Sequence, residues 1–217
     1  MIFLDIETLP TSDPVIIESI KGNLKAPSNY KDPEKIKAYI DNSVDGAIHK
    51  TGLSGLFGKV LCVDVVEDDS ADHQMFYLDD YDSERNMLSE LRTMLCSTNV
   101  ASQHYCADTL VGHNILNFDV PFLSQRMMIN GLKPLFRHGV KPWDLPVDDT
   151  MLMFAAGTKS MYSLANLCLA FGVQSPKSNL SGDMVHQAYL DGRHDEIKQY
   201  CADDVNATRQ IYNAMVK

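Results

Sequence analysis

Four carboxylates at separated positions have the placement that a divalent-cation site requires. Asp5 and Glu7 end an apolar N-terminal run, and the alternation of side chains along a strand puts both on one face. Asp204 follows Tyr200 by one helical turn, so these two residues also share a face. Asp119 ends the polar stretch G-H-N-I-L-N-F-D. A carboxylate at the edge of a core is costly unless a cation or hydrogen bonds compensate its charge.

Each of these acids also has an ordinary interpretation. Asp5 and Glu7 suit a solvated loop after the strand, Asp204 suits a helix surface, and Asp119 suits a first helical turn, where the macrodipole favours an acid. Their occurrence together favours chemistry instead. Hard cations such as Mg²⁺ or Mn²⁺ take oxygen ligands, and two ions about 3.5–4 Å apart can activate a water and stabilise the leaving oxygen of a phosphodiester. The set therefore predicts two divalent cations.

Hydrophobic patterns predict an α/β domain with a mixed sheet. The expected strands are Met1–Ile6, Lys59–Val66, His73–Leu78 and Thr109–Gly112. The expected helices are Ser83–Cys96, Val120–Gly131, Ser160–Phe171, Asp183–Leu190 and a last helix from Asp195. A strand, a hairpin, a helix, a strand and then several helices are typical of a central β-sheet flanked by helices.

The chain of 217 residues suits one domain, residues 1–217, with an ordered insertion or flap at residues 11–58. The insertion contains several prolines and a short helix predicted at Pro33–Ile40. Its lysines could contact a substrate strand. Six acids match its six lysines, however, which favours a solvated face.

The net charge of −10 is unusual for a protein that binds nucleic acid, because phosphate binding normally needs a basic surface. Eleven acidic and three basic residues between Lys59 and Asp108 carry −8 of this charge. The charge therefore does not exclude DNA or RNA, but it predicts weak affinity for long strands. Five cysteines without a C-x-x-C pair, no basic leader and no apolar run long enough for a bilayer predict a cytoplasmic protein with reduced thiols and no membrane partner.

Three segments resemble, in order, the exonuclease motifs of the DEDD superfamily. They are F-L-D-I-E-T-L-P, G-H-N-I-L-N-F-D and Y-C-A-D-D-V, against the patterns D-x-E, N-x₃-F-D and Y-x₃-D. The tyrosine at position 200 is typical of the DEDDy branch, which includes the proofreading exonuclease domain of family-B DNA polymerases. The resemblance implies a ribonuclease H-like (DnaQ-like) fold.

The resemblance also implies a role for each matching residue. Asp5 would bridge two cations, Glu7 and Asp204 would bind the ion that activates water, and Asp119 would support the second ion. Tyr200 would hydrogen-bond the attacking water; with an ordinary pKa of about 10 it suits orientation better than general-base catalysis. The residues matching substrate-contact, packing or supporting positions are Thr8, Leu9, Asn114 and Phe118. Leu9 would wedge against the terminal base, whereas Phe118 is equally well explained as a core aromatic.

These observations together predict a 3′→5′ exonuclease that releases nucleoside 5′-monophosphates from the 3′ end of single-stranded DNA. A ribonuclease that trims RNA 3′ ends is an alternative, because the site recognises phosphate and metal more directly than sugar. A catalytically silent nucleic-acid-binding module is a second alternative, and the presence of all five motif residues argues against it. No polymerase domain follows, so proofreading in cis is not expected.

Overall fold

The computed structural model describes residues 1–68, 70–96, 108–137, 139–174 and 180–217. Five strands form one sheet: β1 Ile2–Leu9, β2 Lys59–Glu67, β3 Gln74–Tyr77, β4 Leu110–Gly112 and β5 Val147–Asp149. Their order is β3-β2-β1-β4-β5. Strand β2 is antiparallel to both β1 and β3, whereas β1, β4 and β5 are parallel to one another. The predicted mixed sheet flanked by helices is confirmed.

Eight α-helices surround the sheet in the described part of the chain. They are α1 Pro14–Asn23, α2 Pro33–His49, α3 Glu84–Leu95, α4 Asp119–Ile129, α5 Thr150–Ala155, α6 Leu164–Phe171, α7 Val185–Leu190 and α8 His194–Val216. None of the described helices combines the length and the apolar character needed to cross a membrane.

Strand alternation separates two cores, one on each face of the sheet. Ile2, Leu4 and Ile6 of β1 face helices α3 and α4 in the larger core. Phe3 faces the other side and packs edge-on against Tyr212 of α8, with ring centroids 5.6 Å apart. Asp5 and Glu7 share the face of Phe3, so β1 directs both carboxylates toward α8.

Residues 11–58 contain more helix than their sequence predicts. Only the short segment Pro33–Ile40 was expected; α2 continues to His49, and α1 was not expected at all. Both helices begin at a proline that follows a capping aspartate, Asp13 and Asp32 respectively. Pro33 thus starts a helix as predicted, whereas Pro14 starts one that was not predicted. Neither helix contains a fully buried residue.

Strand β5 and helix α5 were also absent from the sequence prediction. The strand has three residues, two of them aspartates, so no hydrophobic alternation marks it. It is positioned by parallel pairing with β4, which a local sequence pattern does not encode.

A buried ion pair joins α3 and α4. Arg126 donates from Nε to Glu84 Oε1 at 3.0 Å and from Nη2 to Glu84 Oε2 at 2.6 Å. Glu84 also accepts the backbone N–H of Val60 at 2.9 Å, and Arg126 donates to the carbonyl of Gly55 at 3.2 Å. The pair therefore holds the segment before β2 against α4, which carries Asp119 at its start.

We expect Arg126→Ala to lower the free energy of unfolding by about 3–5 kcal/mol, because it leaves the buried Glu84 carboxylate without its charged partner. Urea denaturation measures this loss. The control is Glu18→Ala, which removes an exposed ion pair with Lys21 and should cost less than about 1 kcal/mol. Equal effects of the two substitutions would contradict the role of the buried pair.

Candidate active site

Three acidic side chains meet above the carboxyl end of β1. Oxygen atoms of Asp5, Glu7 and Asp204 all lie within 4.8 Å of one another. Asp5 and Glu7 come from alternate positions of β1, and Asp204 comes from α8, which packs across that face of the sheet. The thiol of Cys201, three residues before Asp204 on α8, lies 3.8 Å from Asp5 Oδ2. Strand and helix geometry thus create the cluster.

Asp119 reaches the same region through an opening in the sheet. Strand β4 pairs with β1 only at Ile2 and Phe3, so β1 loses its strand partner beyond that point. Asp119 Oδ1 takes the vacant place and accepts the N–H of Ile6 at 3.2 Å. Asp119 lies outside the group of three mutually close acids, but its charge raises the pKa of both Asp5 and Glu7.

Burial raises the pKa of all four carboxyl groups. For Asp5 and Glu7, desolvation comes first and repulsion from the neighbouring acids second, and both pKa values lie well above the ordinary range. Desolvation also raises the pKa of Asp119 to about 7 and that of Asp204 to about 6. No lysine or arginine of the described residues lowers any of these four pKa values. No basic side chain of the described residues thus offsets the charge that these acids carry when they ionise.

Tyr200 lies one turn before Asp204 on α8, and its hydroxyl interacts with the Asp204 carboxylate. This hydrogen bond lowers the pKa of Asp204, opposing part of the effect of burial. Burial, followed by the charges of Asp204, Glu7 and Asp5, raises the pKa of Tyr200 itself above its ordinary value. The hydroxyl is thus a neutral donor at physiological pH.

Of the two residues that follow Glu7, neither offers a free side chain. Thr8 Oγ1 donates to the carbonyl of Gly52 at 2.6 Å. Leu9 is 7% exposed and packs under α7 against Val185. A side chain so deeply buried leaves little surface that a base could contact. The predicted role of Leu9 as a wedge against the terminal base stays a prediction, and the burial of Leu9 does not favour it.

The other two predicted substrate or supporting residues lie in the loop before α4. Asn114 has φ of 61°, the left-handed region that asparagine tolerates better than most residues, and its side chain accepts a hydrogen bond from Asn117 at 3.1 Å. Phe118 is partly buried, packs against the larger core and contacts the ring of Phe122 with centroids 5.6 Å apart. The packing interpretation of Phe118 agrees with this environment.

Asp149 shapes that loop, and the sequence reasoning missed it. Its carboxylate is 3% exposed and accepts four backbone N–H groups. Oδ1 accepts those of Asn114, Met151 and Leu152, and Oδ2 accepts that of Leu116 at 3.1 Å. Asp149 thereby caps α5 and fixes the loop leading to Asp119. An aspartate and a threonine before an apolar helix were a capping signal in the sequence.

The donor set suits hard divalent cations. It consists of carboxylate oxygens, it comes from elements fixed by the core, and its charge lacks a basic partner within the described residues. Mg²⁺ and Mn²⁺ are bound by such oxygen ligands, whereas the zinc sites of proteins commonly add histidine or thiolate. Cys201 is buried and its raised thiol pKa disfavours the thiolate that zinc would need.

The raised pKa values predict how stability depends on pH in chelator. Between about pH 4 and pH 7 the folded protein retains protons that the unfolded chain has released, so the free energy of unfolding falls as pH rises. Asp119→Asn should flatten this slope because it removes the group with a pKa near 7. Chemical denaturation at several pH values measures it, with Asp41→Asn, a change at an exposed acid of α2, as the control. An unchanged slope in Asp119→Asn would contradict the assignment.

Asp149→Ala should lower the rate constant of any reaction at this site by about 10- to 100-fold, because the loop before Asp119 loses its acceptors. Asp149→Asn keeps one carbonyl oxygen and should lose less. Turnover and denaturation measured on both variants test this order. Equal activity in Asp149→Ala and the unmodified protein would show that the loop needs no such support.

Comparison with known proteins agrees with this geometry. Residues 54–217 match the model of a family described as "Predicted 3'-5' exonuclease related to the exonuclease domain of PolB". The matched residues include Asp119, Tyr200 and Asp204. Asp5 and Glu7 precede the match, and it is the fold that brings them to the same cluster. No curated protein sequence matches the chain significantly.

The structure is also similar to the family B DNA polymerase from the hyperthermophilic archaeon Pyrobaculum calidifontis. The TM-score is 0.62 at 16% sequence identity, over 99% of this chain and 24% of the polymerase chain. The chain thus spans about a quarter of that polymerase, and the likeness confirms the ribonuclease H-like fold. Because the family model covers most of its length, the chain belongs to the family of predicted 3′–5′ exonucleases related to the exonuclease domain of PolB.

Proposed function

We propose that the protein is a metal-dependent 3′→5′ exonuclease that removes nucleoside 5′-monophosphates from single-stranded DNA. The observation that carries this proposal is the uncompensated cluster of Asp5, Glu7 and Asp204, with Asp119 beside it. Such a cluster destabilises the folded protein unless cations occupy it, and the family supplies the reaction class.

In the proposed arrangement Asp5 would hold both ions, Glu7 and Asp204 would hold the first, and Asp119 would support the second. Two bound ions would supply Lewis-acid activation of a water and stabilisation of the departing 3′ oxygen. The contribution of the chain is to fix the donors. Asp5 and Glu7 are fixed by β1, and Asp119 is fixed by the N–H of Ile6.

Tyr200 orients the attacking water in this proposal. Its hydroxyl lies beside Asp204, and its raised pKa keeps the proton on oxygen at physiological pH. A neutral hydroxyl can donate or accept one hydrogen bond while remaining protonated, so it positions a water without removing its proton. The aromatic ring packs against the core that also contains Leu9 and Cys201, which restricts its movement.

Single-stranded DNA is preferred over RNA in this proposal, and a ribonuclease that trims RNA 3′ ends is the main alternative. The net charge of −10 predicts weak, salt-sensitive binding and low processivity for either polymer. We place the protein in the cytoplasm as one domain spanning residues 1–217.

Incubation with 5′-labelled single-stranded DNA and its RNA counterpart tests the proposal. With Mg²⁺ or Mn²⁺ we expect a ladder that shortens from the 3′ end, and no cleavage in chelator. Asp5→Ala should reduce the rate by at least about a thousandfold, because it removes the shared ligand.

The matched control for this assay is Asp203→Asn, which removes a charge from the same helix. Asp203 accepts a hydrogen bond from Gln199 at 2.8 Å and is not part of the cluster. Its activity should stay within about threefold of the unmodified protein. Metal-independent cleavage would contradict the mechanism, and strand binding without cleavage would favour the silent module.

Tyr200→Phe should lower kcat by about 10- to 100-fold and leave KM nearly unchanged, because the hydroxyl contacts the water and not the strand. Steady-state kinetics on the same DNA measure both constants. A KM effect alone would assign Tyr200 to strand binding instead.

A further inference from the structure

A turn next to the cluster is attached to β1, the strand that carries Asp5 and Glu7. We refer to residues 50–58, K-T-G-L-S-G-L-F-G, as the 50–58 turn. The carbonyl of Gly52 accepts the Thr8 hydroxyl at 2.6 Å, and Thr51 Oγ1 accepts the N–H of Thr11 at 2.8 Å. The first half of the turn is thereby fixed to the backbone immediately after Glu7.

The second half of the 50–58 turn is fixed to α4. A Cβ atom added to Gly55 would lie 2.9 Å from the carbonyl oxygen of Phe122, so helix and turn are in direct contact. Arg126, which is held by its buried pair with Glu84, donates to the carbonyl of Gly55. Since α4 begins at Asp119, the turn spans from one acid-bearing element to the other.

This well-anchored turn nevertheless exposes apolar side chains. Leu53 is 70% exposed, Leu56 is 59% exposed and Phe57 is 38% exposed. Phe57 also lines a groove of about 340 Å³ against α1. Leu9, the residue expected to contact a base, is 7% exposed. At this end of β1, the turn therefore presents apolar surface that a ligand can contact.

The charge around the turn differs from that of the whole chain. From residue 46 to residue 63 the sequence has no acid, whereas it contains His49, Lys50 and Lys59. Lys50 is the first residue of the turn, Lys59 follows its last residue, and both lysines are exposed. The protein as a whole has a net charge of −10, so this acid-free segment is unusual. Its exposed apolar side chains can contact bases, and the lysines at its two ends can contact phosphates of a nucleic-acid strand.

We propose that the 50–58 turn binds the unpaired nucleotides at the 3′ end of the substrate strand. Leu53 and Leu56 contact the faces of the bases, and Lys50 and Lys59 contact phosphates. Contact with base faces tolerates any sequence but requires unstacked bases, so the turn selects a single strand over a duplex end. This inference rests on the proposed function, because it assigns the strand to the same site.

The test compares two single strands of about ten nucleotides, one ordinary and one whose 3′-terminal nucleotides are abasic. Binding is measured by fluorescence anisotropy with Ca²⁺ replacing Mg²⁺. The variant is Leu53→Ser with Leu56→Ser, and the control is Ile129→Ser. Ile129 is 53% exposed and lies at the far end of α4, about 15 Å along the helix from Asp119.

We expect the double variant to bind the ordinary strand about tenfold more weakly and the abasic strand with unchanged affinity. Ile129→Ser should bind both strands as the unmodified protein does. An equal loss on both strands, no loss on either, or no strand binding by the unmodified protein would overturn the inference.

Two further measurements keep the outcome interpretable. Lys50→Ala with Lys59→Ala should weaken both strands equally and reduce the salt dependence of binding, which tests the turn without changing its leucines. Unchanged binding by this variant would contradict the proposed contacts of Lys50 and Lys59 with phosphates. Cleavage at saturating DNA is measured separately: a protein that binds through the turn but cuts nothing would refute the proposed function and leave this inference intact.

Discussion

The structure depends on holding four carboxylates close together with no lysine or arginine of the described residues to offset their charge. Burial raises the pKa of each, and repulsion from the other acids of the cluster raises those of Asp5 and Glu7 further, so the protein alone stabilises the ionised cluster poorly. A fold tolerates such a cost when the remaining contacts overdetermine the positions of the acids. Here the central strand and the longest described helix cross at the cluster and pack extensively against each other.

The opening between β1 and β4 is what makes room for the fourth acid. Two residues of each strand pair, and then Asp119 replaces the missing strand at the N–H of Ile6. Asp149 holds the loop before it, and the buried pair of Arg126 and Glu84 holds the helix after it. Apart from the hydrogen bond between Asp119 and Ile6, the contacts that hold Asp119 in place therefore involve residues outside the acidic cluster.

Much of the site was predictable because its signals are local. Alternation along β1 placed Asp5 and Glu7 on one face, and helical spacing placed Tyr200 beside Asp204. The missing parts depend on contacts distant in sequence. The short β5 exists through pairing with β4, and Leu9 is buried because α7, more than 170 residues later, covers it. Helix α1 was missed although its start signal is local: Asp13 caps it and Pro14 follows, as Asp32 and Pro33 do for α2.

The most direct test of the metal site is a count of bound Mn²⁺ by electron paramagnetic resonance, with a nucleoside monophosphate present. We expect two ions per chain in the unmodified protein and in Asp203→Asn, and loss of both in the double variant Asp5→Asn with Glu7→Gln. The folded state of the double variant should be more stable in chelator, because two repelling charges are gone. No binding by the unmodified protein, or the same two ions in the double variant, would contradict the claim that this cluster is a metal site.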